Sequence, residues 1–270
     1  MSTTEIKTSP FGSESGHWYQ QDGLLVEQVR LKNGKMSKPS LRHARELQLA
    51  PGVTSVIREA ASPGLEKWKI NQAVLAAMTL PRVDGETSDE FLRRVHQDAA
   101  EHGKEAAAEG TRIHAAIESY YSGLKFVDTA YAPHVAGVRD LIGENCGDQA
   151  SPWLPESSCV SPWGYATKAD LHSHDWVIDF KGKDGDQKSL DATKTFESHH
   201  MQLAATRNAL QSTLRSHPRC AIVFVSRDHP GACSFVEVPE PKLVQGLEMF
   251  RSLLAYWQAS RGYAPSWSRI

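Results

Sequence analysis

The order of hydrophobic patterns along the chain, helices and then strands, a helix, more strands and a final helix, predicts an α/β sandwich. Three observations carry that expectation. Apolar residues recur at helical spacing between positions 65 and 145. Short runs of period two follow at 158–183 and 220–240, separated by a helical stretch at 196–214. An amphipathic segment at 241–262 closes the chain, with Pro241 near its start and Gly262 after its end.

In order, residues 1–50 are polar, with scattered Gly and Ser and little periodicity, and are expected to form an irregular or partly mobile arm. Residues 51–270 are expected to form one domain. "PGVTSVIREAA" reads as a short strand or a helical turn, and "LEKWKINQAVLAAM" as a helix. A second helical region follows Thr87-Ser88-Asp89, with Ser88 as N-cap, Gly103 and Gly110 as expected breaks and Gly123 as the stop. Another helix is expected at 133–145. "CAIVFVSRDHPGACSFVEVPE" reads as a hairpin turning near Pro230-Gly231.

Composition excludes several classes. The 270 residues are 40% hydrophobic and 23% charged, as expected of a globular chain. No apolar run approaches the roughly 18 residues of a transmembrane helix. "MSTTEIKTSPFGSESGHWYQ" lacks the basic and apolar regions of a secretory signal, so a cytoplasmic location is expected. A net charge of -2 argues against a general nucleic-acid coat, although Arg30, Lys32, Lys35, Lys38, Arg42 and Arg45 form a local basic stretch. Cys146, Cys159, Cys220 and Cys233 form no close pair, which gives no support to a zinc ribbon.

The chemistry concentrates in "GYATKADLHSHDWVIDFKGK", residues 164–183. A two-residue turn at His174-Asp175 pairs Leu171 with Ile178 and sets Asp170 opposite Asp179. Alternation then places Val177, Asp179 and Lys181 on one face and Trp176, Ile178 and Phe180 on the other. Opposed carboxylates repel, which calls for a compensating positive charge. A divalent cation such as Mg²⁺ or Mn²⁺ supplies it. The same Asp-x-Lys also reads as an ion pair on a solvent-facing strand.

The order "GTRIHAAIE", "GYATKADL", "VIDFKGK" and "HHMQLAATRNAL" resembles the PD-(D/E)XK nucleases of the RecB-like branch, which includes Cas4-type and mitochondrial genome maintenance exonucleases. "PGVTSVIREAASPGLEKWKI" is similar to the N-terminal segment of phage and mitochondrial members, and the resemblance covers roughly residues 51–212. It implies a restriction-endonuclease-like core, a central mixed β-sheet flanked by helices with a helical N-terminal part, and a Mg²⁺- or Mn²⁺-dependent deoxyribonuclease, with exonuclease action from DNA ends in recombination, replication or DNA degradation. A structure-specific endonuclease and a catalytically inactive DNA- or partner-binding module are the alternatives.

By that resemblance Asp170, Asp179, the backbone carbonyl of Phe180 and His114 hold the metal, and Lys181 is the catalytic lysine. Gln202 matches the glutamine of a Q-x-x-x-Y motif, whose tyrosine position is occupied by Thr206, and Ala169 replaces the proline of the first element. On its residues alone, His114, flanked by Ile113 and Ala115, reads first as a packed core histidine. Glu118, one helical turn later, is an additional acidic candidate or a surface glutamate. Glu156 is a second additional candidate or a loop carboxylate. Arg112, Lys168 and Lys183 are substrate-binding candidates.

Other features carry less. His172, His174, His199 and His200 are expected to be solvated or to touch phosphate rather than to ligate metal. "KGKDGDQK" is expected to be a mobile loop near the substrate. Trp153, Trp163 and Trp176 could stack on unpaired bases or pack in the core. Expected partners are single-stranded DNA or duplex ends and recombination or replication proteins, with no membrane and no iron-sulfur cluster. If the chain is phage-encoded, its location is the host cytoplasm.

Overall fold

The computed structural model describes residues 6–9, 18–61, 63–124, 128–147, 151–214 and 217–269. In chain order the elements are β1 (Ile6–Ser9), β2 (Trp18–Tyr19), β3 (Leu25–Arg30), β4 (Met36–Ser37), α1 (Leu41–Leu47), β5 (Ala50–Pro51), α2 (Val53–Ile57), α3 (Pro63–Thr79) and α4 (Ser88–Tyr121). There follow α5 (Ala132–Cys146), β6 (Leu154–Ser161), β7 (Tyr165–His172), β8 (Trp176–Lys183), α6 (Gln187–Asp191), α7 (Glu197–Leu214), β9 (Arg219–Ser226), β10 (Cys233–Val238) and α8 (Glu240–Arg261).

The central sheet has the order β10-β9-β8-β7-β6. It is mixed, because β8 and β9 run parallel while the other neighbours are antiparallel. This requires a crossover between β8 and β9, and the segment containing α6 and α7 supplies it. Alternation along β8 and β9 then sorts the core. Ile178, Phe180, Ala221, Val223 and Val225 pack against Ile113 and Ile117 of α4 and Val135, Val138 and Ile142 of α5. Val177, Cys220, Ile222 and Phe224 pack on the other face against Leu203, Ala204 and Leu210 of α7 and Leu243 of α8. Each fully buried aliphatic side chain contributes about 1.5–3 kcal/mol, so both helical layers are held by burial rather than by propensity.

The expectation for residues 1–50 requires correction. Residues 1–5 and 10–17 lie outside the described residues, but β1 to β4 and α1 fall within this segment, and a second sheet joins β1, β3, β2 and β5 with β4 on β3. Its strands are two to six residues long, too short to show a clear period in sequence. The sheet is stabilised by tertiary packing. Val26 and Val29 bury against Ala205 and Ala209 of α7 and Leu254 and Trp257 of α8. An isolated parallel bridge from Gly52 to Ala166 ties its edge to β7.

Two further expectations change. The N-cap of α4 is Thr87 rather than Ser88, because Thr87 and Glu90 complete a reciprocal capping box. Nor do Gly103 and Gly110 break α4, which is continuous over 34 residues. A glycine costs a helix about 1 kcal/mol, and packing offsets that here. The Trp68 ring lies over Gly103. At Gly182 of β8, a Cβ would stand 3.6 Å from the Gly110 Cα, so paired glycines let α4 approach the strand one turn before His114.

The hairpin turn follows its expected register, with Leu171 opposite Ile178 and the Ser173 N–H donating to the Trp176 carbonyl at 2.9 Å. No helix among the described residues is long and apolar enough to cross a membrane.

Candidate active site

The β7–β8 ladder is paired at Leu171–Ile178 and His172–Val177, and its named pairs end before the two aspartates. At that point a side chain takes over from the backbone. Asp170 Oδ2 accepts the Phe180 N–H at 2.8 Å, while β8 continues in register with β9 through Lys183. Asp170 is thereby fixed against the residue that follows Asp179. The carboxylates are 4% and 5% exposed respectively, so neither is a casual surface charge.

Asp179 and Lys181 share the face of β8 that looks toward α7, as alternation requires. Lys181 Nζ lies 2.8 Å from Asp179 Oδ2 and 3.1 Å from Oδ1. Gln202 closes the triangle. Its Nε2 donates to Asp179 Oδ1 at 2.8 Å, and its Oε1 accepts from Lys181 Nζ at 3.1 Å. The amide thus aligns both members of the ion pair with one side chain. Gln202 is positioned by close packing of α7 on α8, where a Cβ at Gly246 would lie 2.7 Å from the His200 carbonyl carbon and oxygen.

His114 approaches from the opposite layer. Its Nδ1 is 3.8 Å from Asp170 Oδ2, and its ring meets Phe180 edge-on at 5.9 Å. The close passage of α4 over Gly182 makes this reach possible. One turn later, Glu118 is partly buried, and burial pushes its carboxyl up while Lys168 opposes that shift. Lys168 forms an ion pair with Glu156, and both side chains are about nine-tenths buried. The flanking pairs Pro155–Leu171 and Ser157–Ala169 place Glu156 across from Asp170. Glu156 adopts a φ of 51°, a left-handed conformation that costs a non-glycine residue about 1–2 kcal/mol.

The remaining sequence candidates separate from this cluster. Arg112 is exposed and binds Glu109 at 2.9 Å and the Tyr131 hydroxyl at 3.0 Å. Lys183 donates to Thr193 Oγ1 at 2.9 Å. Thr206, at the expected tyrosine position, is turned into the core and shares a 2.7 Å hydrogen bond with Thr167. The "KGKDGDQK" loop is pinned rather than loose. The Gly185 N–H donates to Asp228 at 2.8 Å, Arg227 binds Asp184 at 2.7 Å, and Asp186 caps α6. Trp176 is buried, and Trp153 and Trp163 pack against the cores.

The sequence marks Lys168 as a substrate-binding candidate and not as the buried partner of Glu156. The only sequence signal for the pair was the odd placement of Glu156 before the first aspartate.

Hydrogen bonding and charge at the cluster suit a hard divalent cation. Carboxylate and carbonyl oxygens are the donors such an ion prefers, and an imidazole nitrogen is the softer addition to that set. Two ligands each about 2.1 Å from one ion stand no more than about 4.2 Å apart. The His114–Asp170 separation of 3.8 Å satisfies that limit. Among the described residues, no three His, Cys, Asp or Glu side chains are gathered as a ready-made cage. An ion held here would therefore keep water in its shell, which is the habit of Mg²⁺.

No family model and no curated protein matches the chain. Among solved structures it is similar to a candidate exonuclease from Eubacterium rectale, at 10% identity over 57% of this chain and 68% of that one, with a TM-score of 0.39. It is also similar to an alkaline exonuclease from Laribacter hongkongensis, at 14% identity over 73% of this chain and 95% of that one, with a TM-score of 0.34.

Proposed function

We propose that the protein is a divalent-metal-dependent deoxyribonuclease that hydrolyses phosphodiester bonds, acting as an exonuclease from DNA ends. The observation that carries this reading is the closed Asp179–Lys181–Gln202 triangle beside a second buried carboxylate, Asp170, that faces a helical histidine. A surface ion pair would need neither the burial nor the glutamine. The order of sequence motifs that resembles the PD-(D/E)XK nucleases supports the same assignment.

In this reading Asp170, Asp179, His114 and the Phe180 carbonyl would hold Mg²⁺ or Mn²⁺. The ion supplies Lewis-acid polarisation of the scissile phosphate. Lys181, oriented by Asp179 and Gln202, donates hydrogen bonds to the attacking water and to the charge that develops on the phosphoryl oxygens. Hydrolysis forms one P–O bond to water and breaks one to the leaving oxygen, which takes up a proton. Glu118, Lys168 and Glu156 form the wall of the same site, with Lys168 keeping the two glutamates from adding uncompensated negative charge near the substrate phosphate. Recombination, replication or DNA degradation is the setting proposed for such an activity.

The test uses linear DNA labelled at the 5′ or 3′ end and a closed circle, incubated with Mg²⁺ or Mn²⁺. Release of label from linear DNA with the circle intact is the expected result, and Lys181→Ala should abolish it. Cleavage of the circle would make the protein an endonuclease. Binding without cleavage in either metal would leave a DNA-binding module and overturn the assignment, as would equal cleavage by Lys181→Ala.

A further inference from the structure

Resting on the nuclease reading, we propose that Phe196 is a stacking platform for an unpaired base of the strand engaged at the Asp179–Lys181 site, so that the protein takes a single-stranded or frayed end.

Phe196 is 62% exposed, which leaves a face of its phenyl ring open to a partner. Its backbone is held from both sides. The Phe196 N–H donates to His199 Nδ1 at 3.3 Å, and its carbonyl accepts the N–H groups of His199 and His200 at 3.0 and 3.2 Å. Thr195 Oγ1 is 2.8 Å from His200 Nε2. Two residues earlier, Thr193 receives Lys183 and donates to the Ser189 carbonyl, both at 2.9 Å. The ring is thus presented to solvent by a fixed loop, which lowers the entropy lost when a partner packs on it.

The loop stands beside the catalytic lysine. Phe196 meets the His199 ring at 5.4 Å, and His199 meets Phe224 at 6.0 Å. Phe224 is the ladder partner of Lys181. Two ring contacts therefore separate Phe196 from the strand neighbour of Lys181, a distance spanned by a few nucleotides. Lys188 and Lys194 are exposed on the same segment and can meet phosphates, Asp184 is paired with Arg227, and Asp186, Asp191 and Glu197 are exposed there as well, so the aromatic face rather than net charge defines the contact. An aromatic face flanked by cations is the means by which unpaired strands are gripped without sequence preference. A base inside a duplex has both faces covered and offers nothing to stack on.

The experiment places 2-aminopurine near the end of a single-stranded oligonucleotide and measures quenching and affinity with the full chain in a Lys181→Ala background, so that the strand survives. Adding Phe196→Ala should remove most of the quenching and weaken single-strand binding about 10-fold. Phe196→Trp should retain both, and Phe196→Leu should bind weakly despite its bulk. Blunt duplex binding should be unchanged by all three, and far-UV circular dichroism should confirm the fold of each.

Undiminished quenching and affinity in Phe196→Ala would overturn the inference while leaving the nuclease reading intact. No single-strand binding by the parent chain would overturn the inference alone, and no binding of either single strand or duplex would overturn the nuclease reading with it.

Discussion

Gln202 and Lys181 are bound to the same carboxylate oxygen. Gln202 Nε2 donates to Asp179 Oδ1 at 2.8 Å, Lys181 Nζ donates to the same oxygen at 3.1 Å, and Gln202 Oε1 accepts from Lys181 Nζ in return. The glutamine therefore sets the direction of the ammonium.

Replacing Gln202 with Leu should preserve the fold and lower DNA cleavage about 10- to 100-fold, the cost of hydrogen bonds to charged groups at about 1.5–3 kcal/mol. Single-turnover rates should fall more than DNA affinity. A fall in affinity alone would contradict a role in orienting Lys181.

Asp170→Asn and Asp170→Ala should separate structure from chemistry. An asparagine carbonyl can still accept the Phe180 N–H, so Asp170→Asn should remain stable while losing cleavage. Asp170→Ala strands that buried donor and should lose about 1–3 kcal/mol in urea unfolding as well. Equal stability of the two variants would show that the bond contributes nothing.

The Lys168–Glu156 pair is a second measurable element. Lys168→Met leaves a buried carboxylate uncompensated and should destabilise the protein by about 3–5 kcal/mol. Adding Glu156→Gln should restore most of that loss, giving a large coupling term in a double-mutant cycle. Additive losses would show that the pair acts separately.

Acid should destabilise the protein through its histidines. Burial pushes His134 and His200 down, and it takes His199 to about 4, with Lys181 and His200 adding repulsion. A depressed histidine is neutral in the native state but takes up a proton once unfolded, below about 6.5. The stability it confers is therefore present above pH 6.5 and declines as pH falls from there toward 4. Urea midpoints should drop between pH 7 and pH 5, and His199→Phe should flatten the decline. A flat profile in the parent chain would contradict these burial effects.

The sequence by itself determined the elements with long, regular patterns and the local geometry they imply. The α/β class, the hairpin register at Leu171–Ile178 and the common face of Asp179 and Lys181 follow from periods of 3.6 and 2 and from turn length. These are short-range steric properties that any fold must respect. The tertiary structure decided what depended on residues far apart in the chain. Short strands in residues 1–50 were hidden because they gain stability by packing on α7 and α8. The glycines of α4 read as breaks because their costs are local, while their offsets, Trp68 and Gly182, lie elsewhere. The same cause governs the site. Asp170 leaves the backbone ladder for the Phe180 N–H, Gln202 spans Asp179 and Lys181, and Phe196 is held outward beside them, because helices from opposite faces of the sheet are packed close enough to bring these groups together.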